Sequence, residues 1–196
     1  MPSFNGWSVI ALPTFPPAPK SIEWELDNVV GSARSPFSLQ QQIYQWNTSI
    51  LRASVSWPFM TNANFTAWRA FLASLQGISN VFQLGDPQNQ APQNHIATGG
   101  TVTGSGQVGY TLNTSSSNLT PGDWIQIGYR LYLVTSVAGG SLGIWPNIRE
   151  SPTGGTGIVI TNTQGLFRLT KNSVKYMTSV EQGRTFSLTF EIEEAL

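Results

Sequence analysis

Apolar and polar residues alternate through most of this chain. The pattern is sharpest near the C-terminus, where Phe186, Leu188, Phe190 and Ile192 occupy every second position of TFSLTFEIEEAL. A period of two marks a strand with one buried face. Ile22, Trp24 and Leu26 repeat it against Glu23, Glu25 and Asp27, which predicts a half-buried strand with an acidic outer face. Leu51, Ala53, Val55 and Trp57 repeat it against Arg52, Ser54 and Ser56, and Pro58, which has no N–H to donate, predicts the end of that strand. Residues 38–46, SLQQQIYQW, predict one more strand. Leu39, Gln41, Ile43 and Gln45 share one face, and Gln40, Gln42, Tyr44 and Trp46 share the other. Neither face is purely apolar, which suits a strand pressed against another protein through hydrogen-bonding side chains. Those last four residues are the candidate subunit interface. Asn47-Thr48-Ser49 predicts a turn after them.

The period lengthens to three and four once. Phe65, Trp68, Phe71, Leu72 and Leu75 form one apolar stripe and predict a helix over 61–76. Thr61, Asn62 and Asn64 are candidate N-caps, and Gly77 stands where a left-handed C-cap belongs. The stripe should lie across a sheet that includes the C-terminal strand. Residues 81–84, VFQL, predict a strand ended by Gly85-Asp86-Pro87.

Residues 86–118 shift to loop composition, with a short strand expected at 107–112. Residues 119–149 then read as a compact β-meander. Turn chemistry at Pro121-Gly122-Asp123 leads to strands at 124–127, 131–137 and 142–145, with turns at Gly128-Tyr129-Arg130 and at Ala138-Gly139-Gly140-Ser141. Further strands are expected at 158–160 and 165–169. The implied architecture is mainly β. A β-sandwich-like domain with one packed helix is built from residues 1–86 and 165–196, and residues 87–164 form an inserted small β-barrel, OB- or SH3-like. Loop-closure entropy grows slowly with loop length, so removing the insertion is expected to leave a folded remainder. Residues 1–20 are Pro-rich and extended. Trp7, Val9 and Phe15 need cover there, either from the chain's own core or from a neighbouring subunit.

Composition narrows the function. The chain has 196 residues, of which 40 % are hydrophobic and 11 % aromatic, enough for a real core. Charged residues are only 10 % and the formal net charge is zero, against roughly 25 % charged in an ordinary soluble domain. Such a surface has little self-repulsion and resembles the charge-depleted centre of an interface. It reads as the surface of a subunit in an assembly; a neutral secreted domain is the bland alternative. No basic run exists, so nucleic acid is not an expected partner. No apolar run reaches the length of a membrane span, and the N-terminus lacks the pattern of a signal peptide. Cysteine is absent, which excludes a disulfide framework and a thiolate metal site.

Candidate chemistry is sparse. Glu23 and Glu25 lie on one strand face, whereas a glycosidase sets its two carboxyls across the scissile bond. His95 is the single histidine and lacks metal-ligand partners or an evident nucleophile. The TGGTG at 153–157 is followed by neither Lys-Ser/Thr nor a helix, so it is no phosphate loop. Four Asn-x-Ser/Thr sequons fit chance in an Asn- and Ser-rich chain. No catalytic, cofactor-binding or metal-binding residue is assigned, and the expectation is a protein that is not an enzyme. Seven tryptophans leave a carbohydrate-binding module for host-surface attachment as the alternative function, although most of them fall in phase with core positions.

The order of features resembles the distal tail, or tail-tip, structural proteins of long-tailed bacteriophages and phage-like particles. The residues that carry it are the Trp24 strand, QIYQW at 42–46, SVSWPFM before the aromatic helix AWRAFLASLQG, and VFQLGDP. The module LTPGDWIQIGYRLYLVTSV with LGIWPNIRESPTGG follows, then GLFRLT and the final FSLTFEIEE. The likeness spans most of residues 20–193. It implies a virion protein made in the host cytoplasm that forms a ring, most simply a hexamer matching a six-fold tail tube. Its partners would be further copies of itself, the tail tube protein, and the hub, baseplate and receptor-binding parts. It implies no catalytic residues and no cofactor.

Overall fold

The computed structural model describes residues 3–179 and 185–196. The chain is mainly β, with two sheets and one helix. Its strands are β1 (Ser3–Phe4), β2 (Trp7–Ile10), β3 (Ser21–Arg34), β4 (Gln41–Met60), β5 (Val81–Leu84), β6 (Thr111–Asn113), β7 (Trp124–Ile127), β8 (Arg130–Ala138), β9 (Ser141–Trp145), β10 (Ile158–Val159), β11 (Gly165–Leu169), β12 (Tyr176–Ser179) and β13 (Thr185–Glu194), with helix α1 at Asn62–Leu75. The large sheet runs β1-β2-β5-β11-β13-β4-β3, with β12 on β13, and the small sheet runs β10-β7-β8-β9-β6.

The period-two segments at 22–26, 51–57 and 186–192 became strands, and the apolar faces of 51–57 and 186–192 meet in one core. Leu51, Val55, Trp57, Phe82, Phe167, Leu188, Phe190 and Ile192 are buried there. Helix α1 covers one end of that face. Trp68 lies on Trp57, with ring centroids 4.1 Å apart, Phe65 stacks on Phe186 at 4.5 Å, and Phe71 meets Phe82 edge-on at 5.4 Å. Thr61 holds the N-cap position with no side-chain bond, and the left-handed C-cap falls on Gln76, one residue before Gly77.

Strand β4 differs from the expectation. Asn47-Thr48-Ser49 makes no turn and Pro58 ends nothing; one strand runs for 20 residues through both. Each breaker sits at a register shift. Asn28 faces Ser49 and Val30 faces Gln45, so β4 spends its extra residues as a bulge. Leu188 faces Trp57 and Phe186 faces Met60, which leaves Pro58 in a second bulge that requires no donor from it. Residues 38–40 lie in the loop before β4, with Leu39 left-handed at φ 58°, so Gln40 is a loop residue.

The β-meander formed as expected. Gly139 and Gly140, both at positive φ, make the two-residue turn between β8 and β9. The strand expected at 107–112 is shorter and later, at Thr111–Asn113. The expected small barrel is an open five-stranded sheet, with no closed barrel of strands among the described residues. Its edges β6 and β10 are linked through residues 98–103 by isolated bridges, among them Val102 to Thr114 and Thr101 to Gly157, and by backbone hydrogen bonds to both sides. Gly99 and Gly100 interrupt that segment, Gly104 follows it, and they weaken it as a strand. The outgoing and returning chains touch where this part leaves the large sheet: a Cβ on Gly85 would lie 1.9 Å from the Thr163 carbonyl oxygen. The small sheet also lends Trp124, Leu131 and Trp145 to the main core, with Trp124 beside Trp24 at 5.9 Å.

Trp7 and Val9 are covered by the chain itself. Strand β2 pairs parallel with β5, and the Arg168 guanidinium sits 4.3 Å above the Trp7 ring. Phe15 stays exposed, while its carbonyl accepts a hydrogen bond from Trp68 Nε1.

Candidate assembly surface

The interface residues read from the sequence lie on a β-hairpin arm. Strands β3 and β4 pair beyond the body of the sheet, from Asn28 to the loop at 35–40 and back to Trp46. Six residue steps on β3 give the arm a reach of about 20 Å. Nearly every residue from 28 to 46 is exposed. Val29, Val30, Phe37, Leu39, Ile43, Tyr44 and Trp46 are large apolar groups in water there, with Phe37 97 % and Trp46 57 % exposed. Scattered exposed apolar residues are ordinary; seven within one projecting hairpin make it the candidate interaction surface.

Register assigns the faces. Gly31 opposite Tyr44 and Ala33 opposite Gln42 share one face. Trp46 lies on it too, because a Cβ at Gly31 would come within 2.8 Å of the Trp46 ring. Three of the four expected interface residues, Gln42, Tyr44 and Trp46, are therefore brought together, and Gln40 stands apart in the loop. The other face carries Val30 with Gln45, Ser32 with Ile43, and Arg34 with Gln41. Arg34 is the only charged residue between 28 and 46.

The root of the arm is fixed by side chains that no spacing rule singled out. Asn28 Oδ1 accepts from Trp145 Nε1 at 2.8 Å, and Ser49 bonds to Asn147 and, through its carbonyl, to Arg149. Arg149 also grips Glu194 in a pair with both side chains buried, Nη2 to Oε2 at 2.7 Å. Tyr132 Oη accepts from the Arg149 backbone N–H, and burial pushes the Tyr132 hydroxyl above its usual pKa. The root of the arm is thus tied to the body of the fold.

Beside the root, the outer face of the large sheet is acidic. Register aligns Glu23, Ser54 and Glu191 in one row and Glu25, Arg52 and Glu193 in the next. With Asp27, these are half of the chain's ten carboxylates. Arg52 pairs with Asp27 at 2.5 Å and with Glu193 at 3.7 Å, and Lys171 pairs with Glu191 at 2.7 Å, which holds that carboxyl below its ordinary pKa. Glu23 and Glu25 have no salt-bridge partner among the described residues.

The remaining chemistry is spare. His95 is exposed in a loop, and no group of three or more metal-ligating side chains occurs among the described residues. Asp86 accepts from Gln88 N and Asn89 Nδ2 and so holds its own turn. Residues 153–157 turn into β10. Of the seven tryptophans, Trp57, Trp68, Trp124 and Trp145 are buried, Trp7 and Trp24 half-buried, and only Trp46 is exposed. Among the described residues, no helix is long and apolar enough to cross a membrane. No protein-family model matches the chain, and no curated protein matches it.

Proposed function

We propose that this protein is a structural ring subunit of a phage-type tail tip, of the distal tail kind. The observation that carries the reading is the arm at 28–46: a hairpin braced at its root, with apolar residues on both faces and nothing among the described residues to cover them. A projecting element that leaves its own fold can meet a different surface on the next copy, and such heterologous contacts form a ring when the rotation between copies closes. In this reading the large sheet with α1 is the β-sandwich-like ring body. Residues 87–164 are an inserted, OB- or SH3-like module facing other tail parts. The low charge content and the order of sequence features that resembles tail-tip proteins support the same reading. Copies of itself, most simply six, the tail tube protein and hub proteins are the partners. The work is mechanical, and no catalytic residue is assigned.

The test is removal of the arm. Replacing residues 29–48 with Asn-Gly keeps the Asn28–Ser49 pair and supplies a two-residue hairpin turn. The full chain is expected to show a closed oligomer by native mass measurement, and the shortened chain a folded monomer. A full-length protein that stays monomeric at high concentration would overturn the ring. One observation favours a second reading, sugar binding: Tyr44 and Trp46 are exposed on one face beside Gln42. Calorimetric binding of host-surface glycans, lost in Trp46→Ala without change in oligomeric state, would select it.

A further inference from the structure

We infer that the arm of one copy docks on the acidic outer face of the next, with Arg34 seated between Glu23 and Glu25. The inference rests on the ring reading and names the receiving surface. The charges are complementary on both sides. The arm carries a single charge, the Arg34 guanidinium, on the face shared with Val30 and Ile43. The outer face holds five carboxylates against Arg52 and Lys171, and those two cations are spent on Asp27, Glu193 and Glu191. Glu23 and Glu25 are left as acceptors beside a cleft of about 400 Å³, lined also by Arg52, Ser54, Thr170 and Glu191. A guanidinium suits this place because its planar fork bonds two carboxylates at once.

The arm cannot satisfy these acids in its own chain. Arg34 and Glu23 lie at opposite ends of one strand, and eleven residue steps separate their Cα atoms by about 36 Å. In this arrangement the Arg34 of a second copy supplies the cation for Glu23 and Glu25. Two adjoining features agree. The outer edge of β3 pairs with no other strand among the described residues. The rest of the docking face, Val30, Ile43, Gln41 and Gln45, is apolar or neutral and is cheap to desolvate beside the charged contact.

The chain contains no cysteine, which makes the test direct. In the full-length Arg34→Cys/Glu23→Cys protein, a short bis-maleimide is expected to join subunits into a covalent ladder that extends past the dimer. A maleimide is used because an Arg–Glu pair holds its Cα atoms farther apart than a disulfide spans. Either single-cysteine variant should give no ladder. Independently, Arg34→Glu should weaken self-association by about three- to fivefold, in the range of an exposed ion pair. Adding Glu23→Arg and Glu25→Arg to it should restore the association. A native oligomer with no cross-linked ladder and no charge-swap rescue would overturn the docking and leave the ring standing. A ladder that stops at the dimer would support the docking and overturn the ring. A monomer at every concentration would overturn both.

Discussion

Arg149 and Glu194 meet fork to fork, Nη2 to Oε2 at 2.7 Å and Nε to Oε1 at 3.2 Å, where three parts of the chain converge. Arg149 follows the last strand of the meander, Glu194 ends the C-terminal strand, and the same guanidinium reaches the Ser49 carbonyl at the root of the arm and Asn147 Oδ1. Both side chains are buried. The pair ties the small sheet, the large sheet and the arm into one body, so loss of one partner is felt in all three.

Arg149→Met leaves the Glu194 carboxylate buried without its cation. The expected loss is about 3–5 kcal/mol, read from urea denaturation at neutral pH. Arg149→Met/Glu194→Met removes both charges and is expected to recover part of it. Equal losses in the single and double variants would mean that the pair itself contributes little.

Phe71 tests the seat of the helix. It is buried between Trp68 and Phe82, both edge-on to it. Phe71→Ala should cost about 3–5 kcal/mol, a large part of an ordinary stability of roughly 5–15 kcal/mol. His95→Ala, in an exposed loop, should leave the denaturation midpoint in place.

Tyr132 gives the fold an alkaline weakness. Its pKa is raised in the folded state, chiefly by burial. The neutral hydroxyl therefore favours the fold fully below the unfolded value of about 10. That contribution is lost as pH climbs from there through the folded value, because the unfolded chain ionises first. Stability should fall above pH 10. Tyr132→Phe should give up a hydrogen bond at pH 8 yet lose less than the parent protein between pH 8 and 11. Parallel curves for the two proteins would contradict the assignment.

Residues 87–164 should not unfold alone. The sequence pattern predicts a separable insertion, but Trp124, Leu131 and Trp145 complete the core around Trp24 and Phe167. Hydrogen exchange is expected to show one opening free energy shared by β7, β8, β11 and β13. An earlier, separate opening of the small sheet would restore independence. Excising 87–163 should destabilise the remainder by uncovering those aromatics and stranding Glu194.

Local pattern by itself determined the mainly β class, the helix and its buried stripe, the meander with its Gly139-Gly140 turn, and the shared face of Gln42, Tyr44 and Trp46. Each follows from a repeat of two or three to four residues, or from a backbone conformation that one residue type favours. The tertiary structure decided the rest. Asn47-Thr48-Ser49 and Pro58 carry breaker chemistry, yet pairing with β3 and β13 absorbed both as bulges within a single strand, and that continuity makes a long arm out of two expected short strands. The Arg149–Glu194 pair spans 45 residues, and the Trp24–Trp124 contact spans a hundred. No spacing rule reaches so far, because it is the path of the chain through two sheets that brings such residues together.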